Sequence, residues 1–414
     1  MRIHRAWLVA AVTFLALISA AAFRSTTSIL FMPIEMEFGW TRETTSLAVS
    51  VNLVLYGITA PFAATLMERF SIRKVTPIAL LLIALGSGLT VFMTQPWQLI
   101  LLWGVFVGLG TGAIALVFGS MVANRWFKHR RGLVTGIFSA AYATGQLLFL
   151  PALSVVVANS GWRVSSVVVA ATSLAIIPIF YIVFRDRPSD VGTTAFGGEI
   201  ETAAVASGSH TFASTIRGLF EAARKPAFWI LAGTFFVCGW TTNGLIGAHF
   251  IPAAHDHGMP ATTAASLLAV VGIFDFVGTI LSGYLTDKVD SVILLVFYYG
   301  LRGLALLTVP FVLGPNVEPP LLFFIVFYGL DWIATVPPTV ELCRKHFGIA
   351  NSGLICGWVF ASHMVGAAAA SAFAGAIRQY QGDYFVAWIV AAVLCIAASA
   401  YSLTLRNKKT AAIA

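Results

Sequence analysis

Charge is what this sequence has least of. Only 10% of its 414 residues are Asp, Glu, Lys or Arg, against roughly 25% in an ordinary soluble domain. Cysteine is scarce too: Cys238, Cys343, Cys356 and Cys395 show no paired or metal-like spacing, so four free thiols and no disulfide are expected. No G-x-x-x-x-G-K-[ST] and no Gly-Lys pair occurs, which excludes a pump driven by a P-loop ATPase within this chain. H-E-x-x-H, G-x-S-x-G and Cys/His clusters are also missing, so neither enzymatic chemistry nor a metal or cofactor is expected. The one long polar stretch, residues 185–226, is too short for a signalling domain.

Apolar residues fill the space that charge leaves. They make up 58% of the chain, and the mean hydropathy is +0.88. A single soluble core stops growing near ~250–300 residues, so lipid is the solvent that fits. Runs of about 20 apolar residues mark membrane-crossing helices. Twelve are read, at 6–32, 44–67, 75–94, 99–123, 132–158, 164–184, 227–250, 262–286, 291–313, 319–340, 350–377 and 384–405, and eight of them contain no Asp, Glu, Lys or Arg. Strands of a membrane barrel would alternate polar and apolar residues, and these runs do not. Arg2, Arg5 and Ala20-Ala21-Ala22 give the first run the outline of a signal peptide, but the run continues past Arg24 to Met32 and is expected to remain as a span.

Lys and Arg concentrate on the cytoplasmic side of membrane proteins. With the N-terminus inside, 20 of the 25 basic residues fall in cytoplasmic segments, three outside (Arg42, Arg163, Arg378) and two within spans (Arg24, Arg302). Both termini are therefore expected in the cytoplasm. The bias also accounts for the net charge of +8 without a nucleic-acid partner. The expected fold is all-α, with two six-helix bundles at 1–184 and 227–414 joined by a cytoplasmic linker at 185–226. The linker is expected to be flexible up to an amphipathic piece around 212–223.

The halves repeat. Gly39 and Gly258, Glu68-Arg69 and Asp287-Lys288, Trp126-Phe127 and His346-Phe347, Gly136 and Gly357, Gly145 and Gly366, and Gly161 and Gly382 match in order at offsets of 219–221. Parallel repeats of this size build transporters whose two bundles rock about a mid-membrane site. Gly104, Gly108 and Gly112 form a stripe read as close helix packing.

Ala64–Lys74 and Gly283–Asp290, with Glu68, Arg69, Arg73, Asp287 and Lys288, resemble the G-x-L-x-D-R-x-G-R-[RK] loop of the major facilitator superfamily. The resemblance covers the whole chain and implies that these five residues gate the cytoplasmic side. Trp126-Phe127-Lys128-His129-Arg130-Arg131-Gly132-Leu133-Val134-Thr135-Gly136 is similar to the sequence that leads into the fifth helix of monocarboxylate porters and of bacterial organic-anion porters such as oxalate–formate exchangers. That family's motif before the first helix is absent. Asp275 matches its eighth-helix Asp, but Thr279 stands where the substrate-binding Arg would be.

Charges inside spans are expensive, roughly 2.5–3.5 kcal/mol each at mid-bilayer on insertion scales, and therefore face the protein interior. They are Arg24, Asp275, Arg302 and Asp331, with His249 and His363 as polar companions and Asn243 at the repeat position of Arg24. Arg24 is read as the bidentate partner of a carboxylate, with Asn243, His249 and His363 as further substrate contacts. Asp275, Arg302 and Asp331 form a buried charge network, in which either Asp carries a coupled proton and Arg302 pairs with one of them. The expected protein is thus a secondary carrier of a small organic anion in the bacterial inner membrane, working as a monomer with a proton or counter-anion. Efflux of amphiphilic drugs is the alternative.

Overall fold

The computed structural model describes residues 4–114, 116–198 and 212–406. Among them the chain forms span 1 (Arg5–Phe38), span 2 (Arg42–Phe70), span 3 (Ile72–Phe92), span 4 (Pro96–Trp126), span 5 (Arg131–Ser160), span 6 (Trp162–Val183), span 7 (Pro226–Asp256), span 8 (Ala261–Thr286), span 9 (Ser291–Val312), span 10 (Pro319–Phe347), span 11 (Ile349–Gln381) and span 12 (Phe385–Leu405). Eleven are long and apolar enough to cross a membrane, and span 5 contributes the shorter apolar stretch Leu147–Ser160. Large apolar side chains such as Phe92 and Phe323 stand more than 70% exposed on the outside. A water-soluble fold would bury them; a bilayer solvates them.

Span 1 runs two turns beyond the sequence expectation, to Phe38. The polar residues that ended the apolar run are paired: Glu35 with Arg42 at 2.7 Å and Glu37 with Arg163 at 2.5 Å. Spans 1 and 5 pack together, as do 3 and 6, 2 and 4, 7 and 11, 9 and 12, and 8 and 10. Three further pairings cross between the first six and the last six spans: 2 with 11, 5 with 8, and 1 with 7. The repeat has a physical counterpart. Gly39, Gly258, Gly161 and Gly382 all take positive φ at corresponding turns. A Cβ at Gly145 would meet Ala21 of span 1, and one at Gly366 would meet the Phe236 carbonyl of span 7, so the same close approach recurs in each half. The Gly104–Gly108–Gly112 stripe lies against Val51, Asn52 and Tyr56 or Thr59 of span 2, as packing predicts.

The seam between spans 2 and 11 is tight from mid-depth to the end away from the linker. A Cβ at Gly57 would come within 2.5 Å of Met364, and one at Gly375 within 2.3 Å of the Ser46 hydroxyl. The Ser50 hydroxyl donates to the Ala368 carbonyl at 2.8 Å between them.

The start of the linker departs from the expectation of a flexible spacer. Residues 185–198 fold under the first six spans. Phe196 N–H donates to the Trp126 carbonyl at 2.8 Å, and its own carbonyl receives the N–H groups of Lys128 and His129. Its ring contacts His4, Trp7 and Phe127. The aromatic pair that opens the porter-like motif is thus a buried clasp. The linker's middle, 199–211, lies outside the described residues, and Phe212–Ala223 forms the expected helix.

Candidate functional site

Three of the four residues proposed for the solute converge at mid-depth. Arg24 on span 1 holds its guanidinium carbon 4.5 Å from the centre of the Tyr56 ring on span 2. Tyr56 meets Phe360 of span 11 edge-on at 5.8 Å, and Phe360 stacks on His363 at 5.7 Å. Asn243 of span 7 lies 3.1 Å from His363 Nε2 through its amide nitrogen. Asn243 belongs to the π-helical stretch Trp240–Ile246; such widened turns occur often at functional sites. Arg24 and Asn243 are half-buried and His363 is buried. A cation, an amide and an imidazole over aromatic rings can hold a planar anion. Tyr56 and Phe360 are members that the sequence reading missed. Neither carries a charge or motif, and only the contact between spans 2 and 11 brings them in.

The charge network resolves into two sets of bonds around a break in span 10. The helix stops at Asp331 and resumes at Val336. Fully buried Arg302 donates through Nε to the Asp331 carboxylate at 2.5 Å and through Nη2 to the backbone carbonyls of Asp331 and Trp332. Its Nη1 reaches Cys238 and Thr241 of span 7. Asp275 accepts the Ile333 N–H at 3.0 Å and the Thr279 hydroxyl at 3.1 Å. The Ser282 hydroxyl donates to the Ala334 carbonyl. In lipid every freed backbone group needs such a partner, and Pro337 and Pro338 sit in the first turn, where fewer N–H groups are required. Thr279, at the position of the porters' Arg, bonds Asp275 and faces this break. Span 4 is interrupted at the corresponding place: its helix ends at Ala113, Ile114 is a turn residue, and the helix resumes at Leu116.

His249 lies elsewhere. It is fully buried at the end of the spans away from the linker, with Nδ1 3.2 Å from the Tyr384 hydroxyl and Nε2 3.0 Å from the Ser371 carbonyl. Tyr384 in turn lies 2.6 Å from Arg42 Nη1, whose Nε donates to both Glu35 oxygens. Thr45 donates to Glu35 and the Gln379 side-chain oxygen accepts the Arg42 N–H. These residues come from spans 1, 2, 7 and 11 and, for Tyr384, from the N-cap of span 12, and they tie the two halves together. Its geometry makes His249 part of this seal and separates it from Arg24. Arg42 was counted in the sequence as a loop charge; its position seven residues after Glu35 across the Gly39 turn was the available signal.

At the linker end, Glu68, Arg69, Asp287 and Lys288 are exposed. Arg73 donates to the Tyr181 carbonyl at 3.0 Å and lies over its ring, and Lys288 bonds Tyr284; both contacts stay within one half. The acid that caps a neighbouring helix is Asp186, which accepts the Ile72 N–H at 2.7 Å and lies 3.8 Å from Arg125.

Twelve apolar helices in two look-alike sets, meeting around polar residues at mid-depth, define a multi-pass membrane transporter. The profile of the Major Facilitator Superfamily matches residues 12–353, and the chain belongs to that family. It is 24% identical over 394 residues to the uncharacterized MFS-type transporter YcxA of Bacillus subtilis, covering 92% of this chain and 88% of that one. Similarity to monocarboxylate transporter 13 of Rattus norvegicus is 26% over 361 residues, 86% of this chain and 78% of that one. The fold matches the crystal structure of a bacterial homolog to the human lysosomal transporter Spinster, in an inward-facing and unoccupied conformation. The TM-score is 0.75 with 15% identity, over 98% and 97% of the two chains.

Proposed function

We propose that the protein is a secondary active carrier of a small organic anion, a monocarboxylate foremost, working by alternating access in a bacterial inner membrane. The observation that carries this reading is that Arg24 of the first six spans and the Asn243–His363 pair of the last six lie on one aromatic bridge, Tyr56 and Phe360. Arg24 serves the solute because its guanidinium lies over Tyr56, which adjoins Phe360 and, through it, His363 of the other half; Arg302 ties Asp331 to the break in span 10. The similarity to monocarboxylate transporters supports the same solute class. Residues 1–184 and 227–414 act as the two rocking bodies, and the charged motif loops form the cytoplasmic gate in the state where that side closes. With both termini in the cytoplasm, the Arg42–Tyr384–His249 seal closes the outer side.

Binding of the solute carboxylate replaces part of its hydration by two parallel N–H···O bonds from Arg24. Hydrogen bonds to a charged group are worth about 1.5–3 kcal/mol each, so Arg24→Ala, which removes both, is expected to weaken uptake of labelled short-chain carboxylates into proteoliposomes by about 100-fold or more. Normal uptake by that variant, at equal incorporation, would overturn the reading. A protonophore assigns the coupling: loss of accumulation marks proton symport through Asp275 or Asp331, and its persistence marks exchange against an internal anion.

A further inference from the structure

The linker helix Phe212–Ala223 has three distinct arcs. One packs on the protein: Phe212 stacks on Phe62 of span 2 at 5.8 Å, Thr215 lies against Thr65, the Thr215 carbonyl accepts the Trp358 indole N–H at 3.1 Å, and Gly218 adjoins Leu354 of span 11. The next arc is apolar and exposed, with Ile216 at 44% and Phe220 at 65%. Beside it, a turn from Phe220 on either side, stand exposed Arg217 and, in the turn just past the helix end, Arg224, with the single acid Glu221 next to them.

This helix lies on the membrane face of the seam. At about 100° per residue, Ile58 and Phe62 point about 200–240° away from Tyr56, which faces the solute site. The same count separates Trp358 and Leu354 from Phe360. Ile58, one turn deeper than Phe62, is itself 44% exposed. Thr65 and Phe62 sit five and eight residues before the end of span 2, about 8–12 Å inside that end at ~1.5 Å per residue. That is the depth at which amphipathic helices rest between headgroups and acyl chains. Trp229 at the start of span 7, 58% exposed with its indole N–H bonded to the Ala223 carbonyl, matches the aromatic belt of that zone.

We propose that the linker helix and the seam under it form a binding site for an anionic phospholipid of the linker-side leaflet. Ile216 and Phe220 contact its acyl chains, and Arg217 and Arg224 bind its headgroup phosphate. A lipid held there bridges both halves, since the helix packs on spans 2 and 11 together.

The full chain purified in mild detergent and placed in nanodiscs tests this. Native mass spectrometry should show phosphatidylglycerol retained over phosphatidylcholine, with the preference falling roughly 5-fold per arginine in Arg217→Gln and Arg224→Gln and further in the double variant. A nitroxide at Phe220→Cys should collide with oxygen more readily than with a water-soluble nickel chelate. A preference unchanged in the double variant, or a label that favours the nickel chelate, overturns the proposal. So does inorganic phosphate that displaces phosphatidylglycerol or raises thermal stability alone, because the site would then be one for free phosphate. Neither readout depends on the transported solute.

Discussion

Arg302 and Arg24, both inside spans, sit in opposite surroundings. Arg302 is surrounded by acceptors within its own half; Arg24 meets an aromatic ring beside the other half's polar groups. Removing one partner of a buried pair typically costs about 3–5 kcal/mol. Arg302→Ala should therefore lower the unfolding temperature in detergent sharply, while Arg302→Met with Asp331→Leu should recover part of the loss. Arg24→Lys should retain charge but lose the fork geometry, giving uptake between wild type and Arg24→Ala with little change in melting temperature. That Arg24, Asn243 and His363 face the interior was legible in the sequence because a polar group in lipid must do so. The role of His249 was not, because depth along a span says nothing about which neighbours surround it. Tyr56 and Phe360 stayed invisible because in an apolar sequence an aromatic residue near a ligand looks like any other.

At the level of single spans, length and order followed from hydropathy, while the interruptions did not. Asp331 and the Pro337-Pro338 pair mark where span 10 breaks, yet the break persists only because spans 7, 8 and 9 supply Cys238, Asp275, Ser282 and Arg302. Those contacts are far apart in sequence. Asp275→Leu strands the Ile333 N–H and should cost about 1–3 kcal/mol, read as a drop in thermal stability of the purified chain; Asp275→Asn keeps an acceptor and should cost less. The clasp at Phe196 was equally hidden, because its partner strand of backbone lies 70 residues earlier, at Trp126–His129.

For the whole molecule, the repeat spacing announced two related bundles, and the contacts between them reveal which end is joined. Arg42→Ala removes the cation shared by Glu35 and Tyr384. Spin labels at Met36 and Val317 should then report a longer distance across the end away from the linker, and an unchanged distance would mean that the seal does not hold that end. Gly375 has a further consequence. A Cβ there would run into Ser46 and the Arg42 carbonyl, one turn from the seal residues Ser371 and Gln379. A leucine there would act as a doorstop: the bundles could part at that end but not swing back. Gly375→Leu should therefore leave the purified chain folded, abolish turnover, and keep a cysteine at Ser50 reactive toward a membrane-impermeant thiol reagent from that side alone.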